Sequence, residues 1–101
     1  MDMGKAYGFV EVSSVTGAVD LLDLMLKTAD VEFLTWERKL GGRLVTVIIQ
    51  GDVSAVTQAV ETAVARGKIK PVAHLVIASP HEETVKMVEM SRDRLRKQGR
   101  I

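Results

Sequence analysis

The hydrophobic period of this chain switches between about 2 and about 3.6 residues several times, and the order of those switches limits the fold more than any single motif does. Tyr7–Val12 alternates weakly and is rich in strand formers, which predicts a first strand. From Val15 to Ala29 the period lengthens. Ala18, Leu21, Leu22, Met25 and Ala29 then share one helical face, and Asp20, Asp23, Lys27 and Asp30 share the other. Thr16 is the predicted N-cap, with Asp20 in the first turn. Val31–Arg38 reads as a second strand. The run Leu44-Val45-Thr46-Val47-Ile48-Ile49 is nearly continuous and mostly β-branched, as a central, covered strand requires. Gly51 breaks it, and Asp52 starts a helix to about Arg66 whose inner face is Val53, Val56, Ala59, Val60, Ala63 and Val64. Side chains that small let a helix lie close to a sheet, and Gly67 is the predicted stop. Ile69–Ala78 reads as a fourth strand, and Pro71 near its start suggests an edge or an entry position. After Ser79-Pro80-His81, Glu82–Gln98 reads as a third helix. Its acids lie at the front and its cations at the back, as the helix dipole favours.

The order is therefore β-α-β-β-α-β-α. This predicts an α/β domain of the α+β kind: a ferredoxin-like βαββαβ unit with an extra C-terminal helix. Such a unit has an antiparallel four-stranded sheet with two helices on one face. The other face is left partly uncovered, which points to oligomerisation. A length of 101 residues predicts one domain over 1–101, with a core of about 6–81 and a basic helix at about 82–98. With no cysteine there is neither a disulfide framework nor a thiolate metal site. No apolar run reaches the ~20 residues needed to cross a bilayer, and no signal peptide opens the chain, so neither a membrane nor secretion is expected.

The net charge of +1 argues against nonspecific nucleic-acid binding, but charge is unevenly placed. Ser91–Ile101 carries five cations and one carboxylate, a net +4, so the first ninety residues carry −3. No aromatic residue is interleaved with those cations, which leaves base stacking unsupported. Tyr7, Phe9, Phe33 and Trp36 are too few to make the sheet an RNA platform. His74 lies inside an apolar strand and reads as structural, whereas His81 reads as a neighbour of a helix cap. Neither has a partner at metal-ligand spacing, so no metal and no cofactor are expected. Met25, Met87 and Met90 read as core or groove filler. Gly41-Gly42 lacks the spacing of a phosphate loop and reads as a hairpin turn.

In order along the chain, Gly8-Phe9-Val10-Glu11-Val12, the helix from Ala18 to Val31, Glu37 to Thr46, Gly51 to Val56 and Val76 to His81 resemble successive motifs of the bacterial microcompartment (BMC) domain. The resemblance covers about Ala6 to His81. It implies a non-catalytic shell protein of the bacterial cytoplasm, six copies of which form a flat ring that tiles edge to edge. Leu40, Gly41, Gly42 and Arg43 would line a central pore crossed by small metabolites. Residues without Cβ suit a point where six loops converge, and their exposed backbone N–H groups can bind polar solutes. Lys27 would reach a neighbouring tile near Ser79, Pro80 and His81. The implied partners are further copies, other shell proteins and encapsulated enzymes, with no nucleic acid and no membrane.

Two departures stand out. Arg43 occupies a place where many members have glycine. It would either form a positive collar, at about 0.4 kcal/mol of repulsion per adjacent pair ~10 Å apart in water, or point away from the axis. Ser79 stands where an edge arginine is common. The alternative reading is a ferredoxin-like regulatory module that binds a small molecule as a smaller oligomer.

Overall fold

The computed structural model describes residues 5–38 and 44–101. Strands β1 (Lys5–Val12), β2 (Glu32–Arg38), β3 (Val45–Asp52) and β4 (Ala73–Ala78) form one antiparallel sheet in the order β2-β3-β1-β4. The chain also forms helices α1 (Val15–Thr28), α2 (Val53–Arg66) and α3 (Glu82–Lys97). This is the predicted ferredoxin-like arrangement, with β4 at an edge as Pro71 suggested.

Alternation along β1 sorts the two faces. Ala6, Val10 and Val12 point into a core with Leu21 and Met25 of α1, Val56, Ala59 and Val60 of α2, and Val47 and Ile49 of β3. Between them Gly8 leaves room for α2. A Cβ there would stand 2.8 Å from Val56 Cγ1 and 3.0 Å from a Val60 methyl. Tyr7 and Phe9 point the other way, their rings edge to face at 6.2 Å, into a smaller cluster with Leu34, Ile48 and Val88.

α3 supplies Val88 and covers part of the face that the two-helix pattern left open. Its sheet-facing stripe is Val88, Ser91 and Leu95, and a bulge in β2 receives it. Phe33 pairs with Ile49 and Thr35 with Ile48, so Leu34 is the extra residue. Two consecutive side chains are thereby turned toward α3. Leu34 joins the apolar cluster, and the Thr35 hydroxyl lies 3.0 Å from that of Ser91. Ser91 also donates to Glu37, which takes a second bond from Arg94 at 2.5 Å. Met87 and Met90 are not filler. They lie off this stripe and are 71% and 69% exposed, while Met25 is buried as expected.

Helix ends correct two further readings. Ser14, not Thr16, caps α1, its hydroxyl accepting from Gly17 N at 2.9 Å. Gly67 ends α2 at φ −62°, so positive φ is not its reason. A Cβ there would come within 2.5 Å of Leu21, which makes it a close-approach glycine between the two helices.

Candidate functional site

Every strand has one end at the level of Lys5, Glu32, Asp52 and Ala78, and three of the predicted edge residues gather there with Lys27 near by. Lys5 pairs with Asp52, Gln50 with Glu32, and Ala6 with Ala78. Lys27 occupies the last turn of α1, just before β2, where the helix dipole favours a cation. It is exposed and bound to Asp23 one turn earlier at 2.8 Å. The hydrogen bond that Lys27 donates to the Asp23 carboxylate, and then that carboxylate's charge, hold the Lys27 ammonium above the ordinary lysine range. At the opposite corner, Ser79 turns the chain off β4 with φ 49°, a left-handed conformation rare for a non-glycine residue. Its N–H donates to Lys5 O at 3.2 Å, so the turn is tied to the sheet. Pro80 is buried, and His81 is itself the cap of α3, with Nδ1 accepting from Glu83 N at 3.0 Å.

Between these corners, on the α3 side, lies a cleft of about 320 Å³ lined by Lys5, Tyr7, Gln50, Ser79, Pro80 and Glu89. Burial pushes the Tyr7 phenol above its ordinary 10.0. Glu89 pushes the same way, and Arg92 opposes both. The residues of this end are single charges and hydroxyls, with Lys27 already bonded to Asp23 and His81 to the Glu83 backbone. Such a set suits contact with another surface. Among the described residues no group of three or more His, Asp or Glu could hold a metal, and no helix is long and apolar enough to cross a membrane.

The predicted pore residues Leu40, Gly41, Gly42 and Arg43 lie outside the described residues. Their flanks are placed: Arg38 pairs with Val45, so the segment joins two neighbouring antiparallel strands. It leaves the sheet at the end opposite Lys5 and Ala78. His74 is not a core histidine. It lies on the outer strand β4 and is exposed, lining a groove with Glu61 and Val64 of α2. The sequence reading also missed Trp36 as a meeting point. Arg38 and Arg100 bring their guanidinium carbons to 5.8 and 5.9 Å from its ring centre. No spacing signal connects Arg100 to Trp36, because they meet only through the placement of α3.

Comparison with known proteins decides what this arrangement belongs to. The BMC domain model matches residues 6–80. The chain belongs to the BMC-domain family. The bacterial microcompartment shell protein PduA of Citrobacter freundii is 40% identical over 88 residues, spanning 83% of this chain and 91% of that protein. A carboxysome shell protein of Hydrogenovibrio crunogenus is 35% identical over 92 residues, 88% of this chain and 95% of that one. A crystal structure of a microcompartments protein from Desulfitobacterium hafniense has the same fold, with TM-score 0.74 at 24% identity. It matches 89% of this chain, which spans about half (49%) of that larger chain. PduA and the carboxysome protein are named as shell proteins, which agrees with a structural role. The BMC match includes Lys27, Leu40–Arg43, Ser79 and Pro80, and ends before His81 and α3.

Proposed function

We propose that this chain is a single-domain shell tile of a bacterial microcompartment, acting in the bacterial cytoplasm as a ring of six copies. The observation that carries this reading is the 40% identity to the shell protein PduA over 83% of this chain and 91% of that protein. Leu40, Gly41, Gly42 and Arg43 join β2 to β3 at one end of the sheet and face the ring axis, where small metabolites cross. Lys27 and the Ser79–His81 corner lie toward the other end, at the tile perimeter, and meet other shell proteins. α3, beyond the matched residues, belongs to the same domain and is the surface open to encapsulated enzymes. The separation of the two sets at opposite ends of one sheet supports this assignment. A ring needs one end of each subunit at the axis and the other at the rim.

Mass in solution tests the reading. Sedimentation at micromolar concentration is expected to show a particle near six subunits. A strictly monomeric species overturns the ring. A dimer or trimer whose melting temperature rises with an added metabolite would favour the regulatory-module alternative instead.

A further inference from the structure

The cleft on the α3 side of the strand ends holds three polar groups that the fold leaves without partners. Lys5 and Glu89 both line it, one from β1 and the other from α3. No ion pair joins them, and neither forms one with any other described residue. Lys5 pairs in register with Asp52, but their side chains make no ion pair either. The third group is the Tyr7 hydroxyl. Tyr7 is only 4% exposed and lines the same cleft. Its hydroxyl has no hydrogen-bond partner among the described residues and is not sealed off, so it opens onto the cleft. A phenol buried to this degree ordinarily finds a partner. The neighbouring groups are already engaged: Gln50 donates to Glu32, and Lys86, one turn before Glu89, is paired with Glu83 at 3.7 Å. Pro80 is buried and Val85 half-buried, which gives the cleft an apolar wall.

We propose that this cleft binds a small zwitterion of the amino-acid class, with its carboxylate on Lys5 and the Tyr7 hydroxyl and its ammonium on Glu89. A short aliphatic side chain lies against Pro80 and Val85. The cleft measures about 320 Å³, which suits a small metabolite. Two opposite charges that line one cleft without bonding each other are both satisfied only by a molecule that carries both signs. A lone anion would gain Lys5 but face Glu89, and a lone cation would meet the reverse. Glu89 and Arg92 act on the Tyr7 phenol in opposite senses, so the local field is mixed and favours neither. Charge-assisted hydrogen bonds at both ends are the strong kind, and they fix the ligand's direction in the cleft. Lys5, Val85 and Glu89 lie outside the matched residues 6–80, so the site joins the shared domain to this chain's own flanking segments. It is built within one chain. The inference therefore goes beyond the shell reading and holds whether or not six copies close a ring.

The test uses the full chain at neutral pH and follows the backbone amide NMR signals of β1 and α3 as glycine, L-alanine or L-valine is added. Propionate and ethylamine, each with one of alanine's two charges, are the controls. Alanine is expected to give saturable shifts at Lys5, Tyr7, Ser79 and Glu89, and to bind about tenfold or more tighter than either control. Lys5→Gln and Glu89→Gln should each weaken alanine binding about tenfold. Their side effects should be opposite. Glu89→Gln, relieved of the carboxylate, should take propionate better than the wild type does, and Lys5→Gln should take ethylamine better. Neither side chain is buried, and the amide spectrum itself reports whether the fold is kept. A purely structural role for either residue would not exchange these preferences. No saturable shift with any of the three amino acids up to about 50 mM overturns the site, as do equal affinities for alanine and its one-charge analogues. Variants that leave alanine binding unchanged overturn it too. Those results leave the ring reading standing, and a chain that stays monomeric overturns the ring but not the site.

Discussion

On the α1–α2 face of the sheet a continuous apolar layer joins β1 and β3 to both helices, with Leu21, Met25, Ile49 and Val56 fully buried. On the α3 face the buried apolar set shrinks to Tyr7, Leu34, Ile48 and Val88, and closure is completed by polar groups. There Thr35, Ser91, Glu37 and Arg94 bond in series across the β2–α3 contact. The first face is held by burial, which scales with area and is tolerant of detail. The second is held by hydrogen bonds, which fix one registration of α3 along β2. The BMC match ends at residue 80, between these two constructions. The shared domain closes by burial, and this chain's last helix docks by specific polar contacts.

The largest expected effect tests that contrast with one chemistry on both faces. Leu21→Ala, in the thick layer, should cost about 4 kcal/mol in urea unfolding. Leu95→Ala, on the thinner α3 side, should cost about 2 kcal/mol, because a helix with a half-open face can settle into the space left. Equal costs would show that α3 is as much a core element as α1.

A smaller effect sharpens the claim about the polar side. Ser91→Ala leaves the buried Thr35 hydroxyl without its partner and takes one donor from Glu37. A loss of about 1–2 kcal/mol is expected, the cost of stranding a buried polar group. Arg94→Ala removes a pair whose side chains are both substantially exposed, so its cost should stay below about 1 kcal/mol. The ordering is the prediction: a larger loss for Arg94→Ala would move the weight of the latch from the buried hydroxyls to the surface ion pair.

The same contrast explains what could be read without coordinates. Elements, sheet order and the α1–α2 core follow from periodicity, because Ala18, Leu21 and Met25, or Val56, Ala59 and Val60, declare their face locally. Motif resemblance singled out Lys27 and Ser79–His81, and the element order sets them near the strand ends at one end of the sheet, while their part in tile contacts belongs to the proposal. What depended on the placement of α3 was not legible. Met87 and Met90 resemble core residues in isolation, but the helix turns Val88, Ser91 and Leu95 inward instead. His74 sits in an apolar run, yet its strand is the outermost one. The bulge at Leu34 and the Arg100–Trp36 meeting have no periodic signature, since each is settled by partners far away in the chain.

The smallest effect is also the most direct reporter of the α3 face, since Tyr7 is the only tyrosine in the chain. Tyr7 is buried on the α3 side of the sheet, shares a cleft with Lys5, Gln50 and Glu89, and feels the charges of Glu89 and Arg92 of that helix. Burial first and Glu89 second raise its pKa above 10.0, and Arg92 partly offsets them. The neutral phenol is therefore favoured in the folded state. That contribution to stability is complete below the ordinary value of 10.0 and is lost as pH rises through the raised one. Alkaline titration followed by phenolate absorbance should show an apparent pKa above 10.0 in the native chain. Tyr7→Phe should abolish the matching loss of stability above that pH while leaving neutral-pH stability nearly unchanged. Ser91→Ala, by loosening α3, should move the titration back toward 10.0. A native Tyr7 that already titrates at the ordinary value would show that α3 stands off the sheet, and that the second face is open and not latched.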